Sequence, residues 1–386
     1  MIDKNKAQNL LQDFLSIESI TPNVKDAFDF LENIFKEHNF EIHRVKFKLD
    51  DSYEVENMFA IKGSGSPHLC YAGHADVVNP GDDSSWQNPP FSGKIQNNKI
   101  YSRGAEDMKG AIISSLVAGI NYFDKNINNI GSLSYLITGD EEGLAINGTK
   151  PLLEWVVNQG YKLDHCIVTE PTNEDVIGDT IKIGRRGSLS FELNIYGKQG
   201  HVAYPQKAKN PIPFALEIAQ EISGEIDKGT DDFLPTNIEL TSFDVNNISH
   251  NIIPEKVRLL FNIRYNDSWT ENRLTEFLEN IFSKYLDDNT INWQLNKISN
   301  ADVYYTSSQD LSSILADSIF KKTALRPKFS TFGGTSDGRF ISKYCPVIEF
   351  GLVGKTMHQI DENITLDDFH LLTEILDDFL VSYYSR

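Results

Sequence analysis

The 386-residue chain has only three cysteines, Cys70, Cys166 and Cys345: an odd number, far apart, with no CxxC pair. Neither a disulfide framework nor a thiolate metal site is indicated, and each cysteine stands beside apolar residues as a buried thiol of a reducing compartment would. Positive charge is also scarce, with 36 Lys and Arg against 55 Asp and Glu and a net charge of −19. That balance argues against nucleic acid or an anionic membrane as partner, yet leaves anionic small molecules open, because a cleft carries its own local field. No apolar run reaches the ~20 residues needed to span a bilayer; the longest, Gly110 to Phe123, is broken by serines and an Asn. The N-terminus, MIDKNKAQNLLQDFLSIESI, spreads its charges and reads as an amphipathic helix rather than a signal peptide, so a cytoplasmic location is expected.

What is present suffices for a substantial core: 40% hydrophobic and 11% aromatic residues, in a chain long enough for two or three domains. Up to about Pro171, helical periodicity (Lys4 to Ser16, Ala27 to Asn39, Met108 to Lys125, Lys150 to Gln159) alternates with strand patterns at Phe40 to Phe47, Met58 to Ile61, His68 to Ala72, Ser132 to Thr138 and His165 to Thr169. Such alternation predicts a layered α/β domain. The middle reads differently, as strand Ser188 to Tyr196, helix Pro211 to Asp227, strands Thr236 to Phe243 and Lys256 to Tyr265, helix Thr270 to Tyr285 and strand Ile291 to Lys297. That is the β-α-β-β-α-β order of a ferredoxin-like unit. The α/β character resumes with a strand at Val347 to Phe350 and a closing helix at Leu366 to Tyr384. The expectation is a discontinuous α/β domain, residues 1–183 and 298–386, with an α+β domain inserted at 184–297.

Ligands of open α/β sheets gather at the carboxyl ends of strands, and there this chain places His and carboxylates. The strand from His68 runs into His74-Ala75-Asp76, where His74 is a candidate metal ligand with Asp76 holding its tautomer, or a surface His beside a turn acid. A Gly-containing turn delivers Asp107 to the start of the long helix, where it reads as an N-cap or a bridging metal carboxylate. The strand Ser132 to Thr138 ends in Gly139-Asp140-Glu141-Glu142-Gly143. Adjacent glutamates in a bent turn point different ways, so one can bind a metal while its neighbour takes a proton from a water which that metal activates. Glu170 ends the strand from His165, and His358 follows the strand from Val347. An inventory of two His and several carboxylates, with nitrogen and oxygen donors only, suits zinc with an open position, or two zincs sharing one carboxylate.

The segments GHADVV, SRGAEDMKG, ITGDEEGLAINGT, TEPT, IGRRGSLSFELNIYGKQGHVAYP, NIIPEKVRLLFNIRY, FGGTSDGRF and EFGLVGKTMHQIDE resemble the dinuclear zinc aminoacylase and carboxypeptidase superfamily, in order and over nearly the whole chain. GRRGS, QGHVAYP and GGTSDGRF are similar to its desuccinylase branch. The resemblance implies a zinc-exopeptidase-like α/β/α catalytic domain with an inserted ferredoxin-like dimerisation or lid domain, acting as a cytoplasmic homodimer. It implies two Zn2+ per subunit, with Co2+ able to substitute, and hydrolysis of an N-succinyl diamino diacid. By motif, His74 and Glu170 would bind one zinc, Glu142 and His358 the other, and Asp107 both. Asp76 would orient His74, Glu141 would be the general base, and His201 would reach the partner subunit's site to stabilise the oxyanion. Arg185, Ser188, Asn251, Arg264, Gly334 and Thr335 would hold the substrate's carboxylates and amide.

Three departures stand out: Glu106 where the family usually has a small or neutral residue, Phe332 where Thr is commoner, and Thr169 where Gly is usual. Glu106 is expected to add negative charge near the metals. Rival readings are a sister deacylase such as an acetylornithine deacetylase, a dipeptidase, and a non-catalytic metal-binding scaffold on the same fold.

Overall fold

A computed structural model of the chain describes residues 1–49, 51–126, 131–286 and 291–385. It divides into two compact units, one of Met1–Ile183, Tyr305–Ser330 and Ser336–Arg386, the other of Gly184–Tyr304 and Thr331–Thr335. The first break falls after Ile183. The second lies beyond the expected residue 297, because the strand Asn292–Ala301 continues along its neighbour Gly187–Tyr196, and the GGT turn belongs with this unit as well.

The larger unit is built on an eight-stranded mixed sheet in the order Glu41–Phe47, Val55–Ser64, Gly131–Thr138, His68–His74, His165–Val168, Val347–Glu349, Thr180–Lys182, Lys328–Ser330. The four strands from Gly131–Thr138 to Val347–Glu349 are mutually parallel. Their carboxyl ends therefore lie along one side, and Thr138, His74, Val168 and Glu349 each hand the chain to a loop there. Every residue of Gly131–Thr138 is buried, as a central parallel strand covered on both faces requires. Helix Gly110–Lys125 packs on the closing helix Leu366–Tyr384, which also meets Gln309–Thr323. The closing helix is capped by Thr365, whose side chain accepts from the Asp368 N–H, with Asp367 and Asp368 in its first turn.

Two details depart from the sequence reading. The helix expected from Met108 begins at Gly110, since Asp107 and Met108 have non-helical dihedrals. Asp107 is thus not an N-cap. The helix Gln309–Thr323 has no counterpart in the sequence reading, although Ser308 caps it and Ala324 ends it in the left-handed region.

The smaller unit has a five-stranded antiparallel sheet in the order Gly224–Glu225, Asn237–Asp244, Lys256–Tyr265, Gly187–Tyr196, Asn292–Ala301. Without the two-residue edge strand this is the spatial order 2-3-1-4 of the β-α-β-β-α-β unit. Lys256–Tyr265 alternates buried and partly exposed residues along its length. Its inward set, Val257, Leu259, Phe261 and Ile263, packs with Leu189, Phe191 and Leu193 against Ile218 and Ile222 of helix Ile212–Ile222 and Leu278 and Phe282 of helix Glu271–Leu286. The first of these helices stops short of the expected Asp227 because Ser223 leaves the helical region and Gly224, at φ +96°, starts the edge strand.

The three cysteines are all buried and free. Among the described residues no helix is long and apolar enough to cross a membrane.

Candidate metal centre

The strand ends of the larger unit deliver His74, Glu141, Glu142 and Glu170 to one side of the sheet, and the turn at Asp107 and the loop at His358 meet them there. Two donor sets result: His74, Asp107 and Glu170, and Asp107, Glu142 and His358, the ligand atoms in each lying within 4.8 Å of one another. Asp107 is common to both. Its Oδ1 is 3.0 Å from Nε2 of His74 and its Oδ2 3.3 Å from Nε2 of His358. Glu142 Oε1 lies 2.8 Å from His358 Nε2, and Glu170 Oε1 lies 3.8 Å from His74 Nε2.

The ring of His74 is fixed from behind. Its Nδ1 donates to the backbone oxygen of Asp76 at 2.9 Å, which turns Nε2 toward Asp107 Oδ1, 3.0 Å away. The Asp76 carboxylate is farther, at 3.7 Å. It accepts instead from Thr21 Oγ1 at 2.7 Å and from the backbone N–H of Glu141 at 3.3 Å and Glu142 at 3.1 Å. Asp76 therefore joins two strand ends, orienting His74 with its main chain and the Glu141–Glu142 turn with its side chain. Burial, opposed by His74 and these donors, pushes its carboxyl up to about 6.

The electrostatics are those of a crowded anionic site. Burial alone would favour a neutral Asp107, but the flanking His358 and His74 outweigh it and hold the carboxyl well below the usual range. Burial and the Asp337 carboxylate raise Glu141 well above its ordinary value, helped by Glu142 and Asp107 and opposed by His74. Burial, then Asp107 and Glu141, do the same to Glu170. Hydrogen bonding to Asp107 and Glu142 raises His358 to about 10. A site that concentrates carboxylates in this way, with two imidazoles as the only other donors, has the chemistry of a divalent cation site with nitrogen and oxygen ligands. Glu141 belongs to neither donor set.

Glu106 does not point at this cluster. Its carboxylate accepts from the Thr356 N–H, at 2.9 and 2.8 Å, and from Thr356 Oγ1 at 2.8 Å, while burial raises it to about 7. The negative charge expected beside the metals is thus engaged elsewhere. Thr169 is buried with Oγ1 on the Ala72 carbonyl, and Phe332 is exposed.

The remaining candidates, His201, Arg185, Ser188, Asn251, Arg264, Gly334 and Thr335, all belong to the smaller unit. Ser188 and Arg264 are directly opposed across antiparallel strands, and NH1 of Arg264 is buried with no hydrogen-bond partner. Arg185 donates to the Phe332 carbonyl at 3.4 Å. Gly333, at φ +127°, makes room for it, since a Cβ there would lie 2.0 Å from the guanidinium. His201 is exposed, and its Nδ1 accepts from the Ala203 N–H at 3.0 Å, which leaves Nε2–H as an outward donor. Asn251 is near it in the fold, its carbonyl accepting from the Val202 N–H.

Sequence reasoning missed several residues that hold the site. Asp140 organises the acidic turn. Glu362 and Arg103 form a buried pair at 2.7 Å behind Asp107. Asp337, hydrogen-bonded to Thr149 Oγ1 at 2.6 Å, faces Glu141. Only their adjacency to motif residues could have pointed to them, because Glu362, Arg103 and Asp337 act through contacts far away in sequence and Asp140 looks in sequence like any other acid of its run.

A sequence model described as peptidase family M20/M25/M40 matches residues 70–382. Relatives similar over nearly the whole chain carry the name succinyl-diaminopimelate desuccinylase. That of Bradyrhizobium sp. strain ORS 278 is 44% identical over 382 residues, 98% of this chain and 99% of its own. That of Rhodopseudomonas palustris strain CGA009 is 45% identical over 381 residues, 98% of each. Among solved structures, the M20 family metallo-carboxypeptidase Sso-CP2 of Sulfolobus solfataricus superposes with a TM-score of 0.79 at 19% identity, covering 98% of this chain and 99% of that one. The aminopeptidase PepT of Bacillus cereus gives 0.80 at 16% identity, with full coverage of both chains. At such identities the structural likeness speaks for the fold.

Proposed function

The chain belongs to peptidase family M20/M25/M40, as a metal-dependent hydrolase of that family, and we propose that it hydrolyses N-succinyl-LL-2,6-diaminopimelate to succinate and LL-2,6-diaminopimelate. The observation that carries the reaction class is the sharing of Asp107 by two donor triads. The substrate rests on full-length similarity to succinyl-diaminopimelate desuccinylases. In this reading the enzyme serves lysine and diaminopimelate biosynthesis in the cytoplasm.

His74, Asp107 and Glu170 would hold one Zn2+ and Asp107, Glu142 and His358 a second, with Co2+ able to replace them. Bound there, the cations supply Lewis acidity that polarises the amide carbonyl and makes a water acidic near neutral pH. The protein's residues do the rest. Glu141 accepts the proton of the attacking water and returns it to the leaving nitrogen, a transfer that suits a carboxylate whose proton affinity is raised by burial and by the Asp337 carboxylate. Asp76 keeps the His74 tautomer and the Glu141 backbone in place. In a homodimer, His201 of one copy would donate Nε2–H to the oxyanion formed in the other.

The substrate carries carboxylates at both ends, and planar guanidinium groups match them. The unpartnered NH1 of Arg264 supports its assignment to one of them. Ser188 stands opposite, with Arg185, Asn251, Gly334 and Thr335 completing the set.

The test is succinate release from N-succinyl-LL-diaminopimelate by zinc-loaded protein, with N-acetylornithine and a dipeptide in parallel. Strong preference for the first is expected. Turnover of N-acetylornithine instead would move the assignment to a sister deacylase, and bound zinc without any turnover would leave a scaffold.

A further inference from the structure

Behind the donor triads, the segments that carry Asp107 and His358 exchange carboxylates. Glu362, four residues after His358 and fully buried, accepts the backbone N–H groups of Gly104 at 3.1 Å, Glu106 at 2.9 Å and Asp107 at 3.3 Å. Glu106 returns the grip through the three bonds from Thr356 described above. Thr356 Oγ1, donating to Glu106, also accepts the Asn363 N–H at 3.0 Å. Arg103 closes the ring, with NH1 on Glu362 at 2.7 Å and NH2 on the His358 carbonyl at 3.3 Å. Every member of this clasp belongs to the larger unit, and none is a ligand in either triad.

We propose that Glu106 and Glu362 are positioning residues, whose reciprocal bonds interlock segments 103–107 and 356–363 and hold Asp107 and His358 in place for the second cation. The inference rests on the metal reading given above. Its physical content is preorganisation: groups that fix the ligands of a site reduce the cost of gathering them, and their removal weakens metal binding. It also predicts asymmetry. Of the first triad the clasp supports only Asp107, because His74 is fixed by the Asp76 carbonyl and Glu170 follows directly from a sheet strand. Of the second triad it supports both Asp107 and His358. Glu106 thus contributes through its hydrogen bonds to Thr356.

The experiment strips the full-length chain with a chelator, titrates Co2+ by calorimetry and follows visible absorption in parallel. Glu362→Ala would strand the buried Arg103 guanidinium and is expected to disturb folding, so Glu106→Ala and Thr356→Val carry the test, with Glu106→Gln as the conservative variant. The wild-type chain should bind in two steps. In Glu106→Ala one step should weaken about 10–100-fold while the other stays within about threefold. Glu106→Gln should recover most of the loss, because its amide oxygen still accepts the Thr356 N–H. Two unchanged steps in Glu106→Ala, or both weakened equally, would overturn the clasp. A wild-type chain that binds no Co2+ would overturn the metal reading itself, and the inference with it.

Discussion

Tyr53 donates its phenol to Oδ1 of Asp140 at 2.5 Å, and this contact helps to anchor the turn that carries Glu141 and Glu142. The same carboxylate accepts the backbone N–H groups of Leu144 at 3.1 Å, Ile146 at 3.2 Å and Asn147 at 3.1 Å. The acidic turn is therefore wound around its own first acid. Asn147 fastens the far end, its side-chain amide donating to Tyr53 O at 2.8 Å and Ser52 Oγ at 2.7 Å. Of three consecutive acids, Asp140 is the one that binds the turn's own backbone.

Removing that anchor should misplace Glu141 and Glu142 without touching either. Asp140→Ala is expected to lower kcat about 10–100-fold, the scale on which small displacements of reacting groups act, and Tyr53→Phe to cost less, since three backbone donors remain. Steady-state kinetics with a thermal melt checks it. A folded Asp140→Ala enzyme within twofold of wild-type kcat would show that Asp76 alone positions the turn.

Glu141→Gln separates proton transfer from metal binding. Because Glu141 lies outside both donor triads, metal content should stay at the wild-type level while kcat falls about 10²–10⁴-fold, as loss of a general base does. Metal analysis beside single-turnover kinetics decides the matter. Loss of a cation in this variant would make Glu141 a ligand and send the search for the base elsewhere.

These two neighbours mark how far the sequence can be read. Strand ends were legible, because His74, Glu142 and Glu170 follow apolar runs whose burial is dictated by composition, and the parallel sheet then aligns their carboxyl ends. The ferredoxin-like order of the middle was legible for the same reason of periodicity. The part played by Asp140 was not, since an acid that accepts backbone N–H groups looks in sequence like an acid that binds a cation. Glu362 and Arg103 were hidden differently: 259 positions separate them, and no local pattern marks a buried ion pair. The direction of Glu106 also depended on a partner 250 positions away. The short strands Thr180–Lys182 and Lys328–Ser330 offer too few residues for any period to register.

Arg264→Lys should act on binding rather than chemistry. An ammonium cannot reproduce the planar fork whose NH1 lies buried and unpartnered, so KM for the diacid should rise about tenfold or more, the worth of a charge-assisted bond. With uniform binding lost, kcat should stay within about twofold. A large fall in kcat at constant KM would place Arg264 in the transition-state contacts instead.

His68 provides a pH test away from the metal centre. Its Nδ1 is 2.9 Å from the Lys162 carbonyl and its Nε2 2.8 Å from Ser134 Oγ, and burial lowers its pKa despite that carbonyl and nearby Asp164. A base with a depressed folded-state pKa contributes stability that is full above its unfolded value of about 6.5 and is lost as pH falls through the folded value. Urea unfolding at pH 7.5 and 5.5 should therefore show a drop in stability that His68→Gln reduces. An imidazole NMR titration placing His68 above 6.5 would contradict the sign.

Chelation should destabilise the protein, and more so as pH rises. Without cations, Asp107, Glu141, Glu142 and Glu170 crowd together, with the imidazoles of His74 and His358 in partial compensation. Glu170 is then raised by burial and by Asp107 and Glu141, and His358 is raised to about 10 by Asp107 and Glu142. Both shifts have the same sign: a folded-state pKa above the unfolded one gives stability that is present at low pH and disappears as pH climbs through the folded value. The stripped chain should thus weaken steadily from pH 6 to pH 9. Cation binding runs the other way, because it needs the deprotonated ligands, and at 100 times its dissociation constant one bound ion contributes about 2.7 kcal/mol. The gap in Tm between zinc-loaded and stripped protein should accordingly widen over that range in scanning fluorimetry. A gap that stayed constant or narrowed would mean that these carboxylates and His358 are not the groups whose protons the metal displaces.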